Sequence, residues 1–178
     1  MDASDSHSGP APSLRVARIA DLPQILAIHN DVIESSNAIF SEQPDTLQGR
    51  SEWFEGRTRA GLPVLVAALG DEVLGFASYG PFRPWQGYRE TVEHSVHVRS
   101  DRRREGLGRR LLESLVRHAR ESGMHVMVAG IDGENAASVV LHRSLGFQEV
   151  GTMPEVAIKH GHRLDLVLMQ LMLSVEPG

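Results

Sequence analysis

Apolar residues along this chain keep two rhythms. Leu22, Ile25, Leu26, Ile28, Val32 and Ile33 recur every three or four positions, which predicts an amphipathic helix. Asp21 followed by Gln24 three residues later reads as its N-cap and capping box, with Pro23 tolerated in the first turn. Leu107, Leu111, Leu112, Leu115, Val116 and Ala119 mark a second such helix, ending near Ser122-Gly123. Runs rich in β-branched residues predict strands at residues 14–18, 63–69, 72–79, 91–98 and 125–131, with Gly70-Asp71 turning the second into the third. Further helices are expected over residues 46–60, closed by Gly61, and over 135–145, stopped by Gly146. Two last strands fall near residues 147–153 and 164–173, and the segment 80–90 reads as a loop. The order β-α-α-β-β-β-α-β-α-β-β is that of an α/β domain with a β-α-β crossover in its middle.

Residues 1–13 are short, polar or proline and glycine, and read as a disordered leader; residues 14–173 form one unit, and 174–178 a loose tail. The 178 residues are 41% hydrophobic and 23% charged, enough for one sizeable core. Aromatics are 5%, so aliphatic side chains must build that core. With no cysteine there can be no disulfide framework, thiolate metal site or cysteine acyl-enzyme. A net charge of −5 argues against wholesale binding to nucleic acid or an acidic membrane. No apolar run is long enough to span a bilayer and no basic-then-apolar signal opens the chain, so a cytoplasmic location is expected.

The local charge differs from the global one. Residues 98–112 place Arg99, Arg102, Arg103, Arg104, Arg109 and Arg110 around a strand-to-helix junction, Arg103-Arg104-Glu105-Gly106-Leu107-Gly108. Two glycines let the backbone turn sharply and let an anion approach without meeting a Cβ. The first free N–H groups of the following helix then point at that anion. A Walker loop would need Gly-Lys-Ser/Thr, and a dinucleotide fingerprint a third glycine near the first strand; neither is present. A solvated, arginine-rich turn is the plainer alternative.

The pattern Arg103-x-x-Gly106-x-Gly108 after a strand resembles the acyl-CoA loop of the GCN5-related N-acetyltransferase (GNAT) superfamily. Asn135-Ala-Ala-Ser138 and Leu141-His142-Arg-Ser-Leu145-Gly146-Phe147 resemble its second motif. Phe40 with Pro44, Gly80-Pro81-Phe82-Arg83, Thr91-Val92-Glu93-His94-Ser95-Val96 and Lys159-His160-Gly161 are similar to its phosphinothricin and methionine sulfoximine branch. The resemblance implies a mixed, mostly antiparallel sheet flanked by helices. It also implies direct transfer of acetyl from acetyl-CoA to the primary amine of a small amino-acid-like substrate, in a detoxifying or resistance role. By the same resemblance Val96, His97 and Val98 offer backbone donors to the acetyl carbonyl and pantetheine. Arg103, Arg104, Glu105, Gly106, Leu107, Gly108 and Arg109 form the pyrophosphate site, Asn135 and Ser138 contact the CoA arm, and a homodimer is expected.

Glu93 is the expected general base. A carboxylate in mid-strand is unusual, and the alternative is an ion pair with a neighbouring arginine. His142 stands where the wider superfamily often has a tyrosine that protonates the CoA thiolate. It is expected to act as acid or base, against the plainer fate of a helix histidine without a task. Phe40, Arg83, Tyr88 and Trp85 are placed at the acceptor, Arg83 offering a planar fork to an anionic oxygen; the alternative is a packed surface loop. The nine histidines suggest no metal site, since His94 and His97 point to opposite faces of a strand and His160 and His162 lack a third ligand. The arginine-rich helix lacks the interleaved aromatics of a nucleic-acid surface. Two other functions stay open: the same chemistry on a polyamine, antibiotic or peptide amine, and a non-catalytic CoA-binding module.

Overall fold

The computed structural model describes residues 11–173; the expected leader through residue 10 and the tail 174–178 lie outside the described residues. Seven strands, β1 (Ser13–Val16), β2 (Val64–Leu69), β3 (Glu72–Pro81), β4 (Thr91–Val98), β5 (Val126–Asp132), β6 (Gln148–Lys159) and β7 (His162–Met172), form one sheet. Their order is β1-β2-β3-β4-β5-β7-β6. Every neighbouring pair is antiparallel except β4–β5, joined by a crossover through helix α3 (Leu107–Glu121). The other helices are α1 (Leu22–Ser35), α2 (Leu47–Arg59) and α4 (Ala136–Ser144).

Strand alternation sorts side chains to two cores. On one face Leu65, Ala67, Leu74, Ala77 and Val92 meet the apolar stripe of α3, with Met127, Met169 and Phe147 extending the layer. On the other, Val64, Val66, Val73 and Phe76 meet Leu22, Ile25 and Ile28 of α1, with Trp53 and Phe54 of α2 packed alongside. Leu111, Leu112 and Leu115 are fully buried, which is why α3, polar on its outer face, is held firmly to the sheet.

Three local readings are corrected. Asp21 precedes α1 but does not cap it: its carboxylate accepts from the Arg18 N–H (2.7 Å) and takes both prongs of Arg15 (2.7 and 2.8 Å). Gln24, expected as the capping-box partner, instead bonds Asp71 O (2.9 Å) and Val73 N–H (2.8 Å) across the β2–β3 turn. Tertiary partners outcompete the local cap. The first strand starts at Ser13, within the expected leader, because Ser13 finds a partner in Ala68. The last hairpin is longer than its apolar pattern suggests, running to Lys159 through an irregularity between Met153 and Ala157 where Glu155 takes a positive φ of 52°. Thr46 caps α2, accepting from Gly49 N–H at 3.0 Å.

Candidate active site

Strands β4 and β5 pair only where Thr91, Val92 and Glu93 face Val126, Met127 and Val128. Beyond Glu93 they part, and a cleft of about 600 Å³ runs through the gap from one face of the sheet to the other. Arg103, Arg104 and Gly108 line it on the α3 side, Asn135, Ser138, Leu141 and His142 from α4, and Ser36, Ala38 and Ile39 from the turn after α1. Arg99 N–H donates to Leu74 O at 2.9 Å, so the alternation of an antiparallel ladder turns the backbone groups of His97, Ser95 and Glu93 toward β3. Those of Val96 and Val98 turn toward the gap, where β5 has left. The N–H groups of these two residues are therefore unused by the β3 ladder. The backbone of His97 faces the other way, and its ring packs on Phe76 (5.3 Å) and His29 (6.2 Å) on the α1 face, where burial holds its pKa down to about 4.

At the α3 end, Gly106 sits in the left-handed region (φ 77°) and no side chain caps the helix, so its leading N–H groups stay available. A Cβ on Gly108 would come no closer than 3.8 Å to Val98 and 3.9 Å to Leu141 among the described residues. The arginine cluster is smaller than its sequence count suggests. Arg99 is held by Glu72 and Asp101, Arg102 by Glu105 (2.9 Å), Arg109 by Glu113 (2.9 Å) and the Ser144 hydroxyl (2.9 Å), and Arg110 by Pro12 O (2.8 Å). Arg103 and Arg104 have no such partner among the described residues, and they are the two that line the cleft. Glu105, expected to bind, is occupied with Arg102; Leu107 is buried in the core and can offer only its backbone. Asn135 caps α4 by accepting from Ser138 N–H (3.1 Å), and both residues line the cleft. An uncapped helix N-terminus with two free arginines and an open channel fits a long ligand with a diphosphate.

Glu93 lies across the gap from that cradle, its side chain on the α1 face. A Cβ on Gly130 of β5 would lie 3.2 Å from Glu93 Oε1, so the absence of a side chain there makes room for the carboxylate. Burial raises its pKa above the ordinary carboxylate range, and Arg83 pulls it partly back. Among the described residues it has no ion pair, contrary to the alternative reading. His142 is buried, and its Nδ1 donates to Ser138 O (2.7 Å), since a carbonyl can only accept. Its Nε2 meets His94 Nε2 at 3.1 Å, the two rings stacked with centroids 5.0 Å apart. Burial lowers both pKa values, His94 to about 3, so the pair is neutral at pH 7 and His94 must be the donor. Both nitrogens of His142 are thus engaged, and neither presents a free proton to the cleft. His94, which the sequence reading weighed only as a metal ligand, is the partner that fixes this tautomer.

The loop of Arg83, Trp85 and Tyr88 does not wall the cleft. Tyr88 packs edge-on to Phe82 (5.7 Å) and against Trp85 (6.4 Å), while Arg83 folds over Phe82 (4.3 Å). The aromatics satisfy one another at the surface, Trp85 being 67% exposed, which is the surface-loop alternative; only Arg83 reaches Glu93, through its charge. Phe40 lies just past Ile39 but is not itself a lining residue. The sequence reading gave Lys159 no role. Its buried ammonium donates to Ile33 O (2.6 Å), Ser36 O (2.6 Å) and Ile39 O (3.0 Å), and so pins the end of α1 and the turn that lines the cleft. Among the described residues no group of three or more His, Cys, Asp or Glu is placed to hold a metal.

The acetyltransferase (GNAT) family profile matches residues 25–147. The chain is 54% identical over 163 residues, 91% of its length and 95% of the relative's, to the L-methionine sulfoximine/L-methionine sulfone acetyltransferase of Pseudomonas paraeruginosa. It is 48% identical, over 91% and 94%, to an L-amino acid N-acyltransferase of Escherichia coli. Its fold superposes on the crystal structure of a phosphinothricin acetyltransferase from Sinorhizobium meliloti in complex with AcCoA, with a TM-score of 0.89, 34% identity, and coverage of 93% and 90%. The parted strands, the bare helix end and these likenesses along nine tenths of the sequence converge on one statement: the chain belongs to the acetyltransferase (GNAT) family.

Proposed function

We propose that this protein transfers acetyl from acetyl-CoA to the primary amine of small amino-acid-like substrates of the methionine sulfoximine, methionine sulfone and phosphinothricin type. The carrying observation is the parting of β4 and β5 beyond Glu93, which opens a cleft from the anion cradle at α3 to Gly130, the residue beside the Glu93 carboxylate. Arg103, Arg104 and the N–H groups at the start of α3 would hold the pyrophosphate, and Val96 and Val98 the acyl arm. Bound there, acetyl-CoA supplies the activated acyl group.

An amino-acid ammonium is not a nucleophile until it loses a proton. Glu93 takes it, and its raised pKa makes it a stronger base than an exposed glutamate. The amine then forms the C–N bond as the C–S bond breaks; the second nitrogen proton leaves with this step and the thiolate takes it up. Val96 and Val98 amides stabilise charge developing on the carbonyl oxygen. His142 and His94 form a neutral wall beside the acyl position. Thiol release assayed across amino acids, polyamines and peptide amines tests the reading: turnover of methionine sulfone or phosphinothricin supports it, and turnover of polyamines alone sinks it.

A homodimer belongs to the same reading. It is supported by Val150, Val156 and Ile158, exposed along β6 at the edge of the sheet, and light scattering of the purified chain checks it. Detoxification is the role such an activity would serve, and the cytoplasm the location that goes with acetyl-CoA consumption. Among the described residues no helix is long and apolar enough to cross a membrane.

A further inference from the structure

Arg57 of α2 stands apart from the other arginines. Every other described arginine that is not exposed has a carboxylate: Arg15, Arg50, Arg99 and Arg102 pair with Asp21, Asp45, Glu72 and Glu105. Arg57 is half-buried and has neither an ion pair nor a side-chain hydrogen bond among the described residues, and its Nε is wholly inaccessible without a partner. Burial alone lowers its pKa; no acid offsets it. Among the described residues its ring contact is the face of Trp53, 5.9 Å from the guanidinium carbon. Leaving a desolvated charge unpaired is costly, so an uncompensated guanidinium inside a fold calls for an anion that arrives from outside.

Its position says which anion. A Cβ on Gly80 of β3 would fall on the Arg57 guanidinium, so that glycine exists to let the arginine lie flat on the sheet. Gly80 is the register partner of Glu93, and residues opposite one another in an antiparallel pair share a face with Cβ positions about 5 Å apart. Arg57 therefore sits over β3 on the face of the sheet that carries the base. The two do not pair, because the Glu93 carboxylate leans the other way, toward Gly130 on β5. Two glycines, one on each neighbouring strand, hold the cation and the carboxylate apart on either side of β4. A cation over β3 and a base leaning toward β5, on one face of the sheet, match a molecule carrying an anion and an ammonium on adjacent atoms.

We propose that Arg57 receives the α-carboxylate of the acceptor, so that the site selects α-amino acids over amines that lack the acid. This rests on the acetyltransferase reading above and deepens it. The carboxylate docks on the guanidinium, bringing the ammonium to Glu93; no bond is made or broken at Arg57.

The test compares methionine sulfone with its methyl ester, in the wild type and in Arg57→Gln and Arg57→Lys, by thiol release. The wild type prefers the free acid. Arg57→Gln raises KM for the acid about 100-fold and for the ester about threefold or less, closing the gap between them, with Arg57→Lys between. The Kd for acetyl-CoA and the Tm of Arg57→Gln stay at or above wild-type stability and affinity, since no internal pair is lost. Equal losses on acid and ester, or no loss on either, overturn the role of Arg57 while leaving the enzyme reading in place. A wild type that binds acetyl-CoA but acetylates no amino acid overturns both.

Discussion

The two sides of the cleft are built from opposite materials. On the α3 side the anion cradle is one continuous stretch, Val96 to Gly108, whose working groups are backbone amides plus Arg103 and Arg104. On the α1 side the turn Ser36 to Ile39 lines the cleft, with Lys159 fastening that turn and Arg57, Gly80 and Glu93 placed on the same face of the sheet, five separate parts of the sequence. Backbone donors at a helix end depend on conformation and tolerate side-chain change; a site made of isolated charges depends on each one. The lesson is that cosubstrate binding should degrade gradually under mutation, and acceptor chemistry abruptly.

The sharpest break is expected at Glu93. Glu93→Gln should lower kcat by about 10²–10⁴-fold while acetyl-CoA binding by calorimetry stays as it was. A comparable fall in cosubstrate affinity would erase the contrast between the two walls. Arg103→Ala with Arg104→Ala should raise the acetyl-CoA KM roughly 10–30-fold and blunt its salt dependence, with kcat within about threefold. Lys159→Met leaves three carbonyls without their donor. It should cost about 3 kcal/mol, read as a Tm fall of roughly 10 °C, and raise the acceptor KM more than that of acetyl-CoA.

Proton linkage gives two smaller effects. The acid limb of kcat/KM should fall above the ordinary glutamate range, because Glu93 must be ionised and burial raises its pKa; Arg83→Gln removes the opposing charge and should move that limb to higher pH. His29, His94, His97 and His142 all have folded-state pKa values below the unfolded 6.5, with His29 and His97 at about 4 and His94 at about 3. The unfolded chain therefore binds more protons as pH drops through 6.5. Stability present above that value is lost on acidification toward 4, a Tm fall of roughly 5–10 °C that scanning calorimetry can follow. A flat Tm over that window would mean these rings are not buried.

Periodicity was enough for the element order and for the stripe of α3 because a helix buries residues a few positions apart, whatever lies across from them. The phosphate cradle was legible for the same reason: glycine at the junction and a helix start are local facts, and Gly106 takes the left-handed turn they imply. Local reasoning failed where a side chain had better offers from afar. Asp21 left its cap for Arg15, four of the six loop arginines found acids or oxygens within the protein, and the aromatics after Gly80 packed on one another.

The sequence by itself determined the α/β order, the helix faces and the bare helix end, since each follows from backbone conformation and the spacing of neighbours. Only the tertiary structure decided where β4 and β5 separate, which histidine nitrogen carries the proton, what Lys159 fastens and which half-buried arginine stays unpaired. Those depend on charges and hydrogen-bond partners many residues apart, and Coulomb forces and desolvation respond to distance in space, not to distance along the chain.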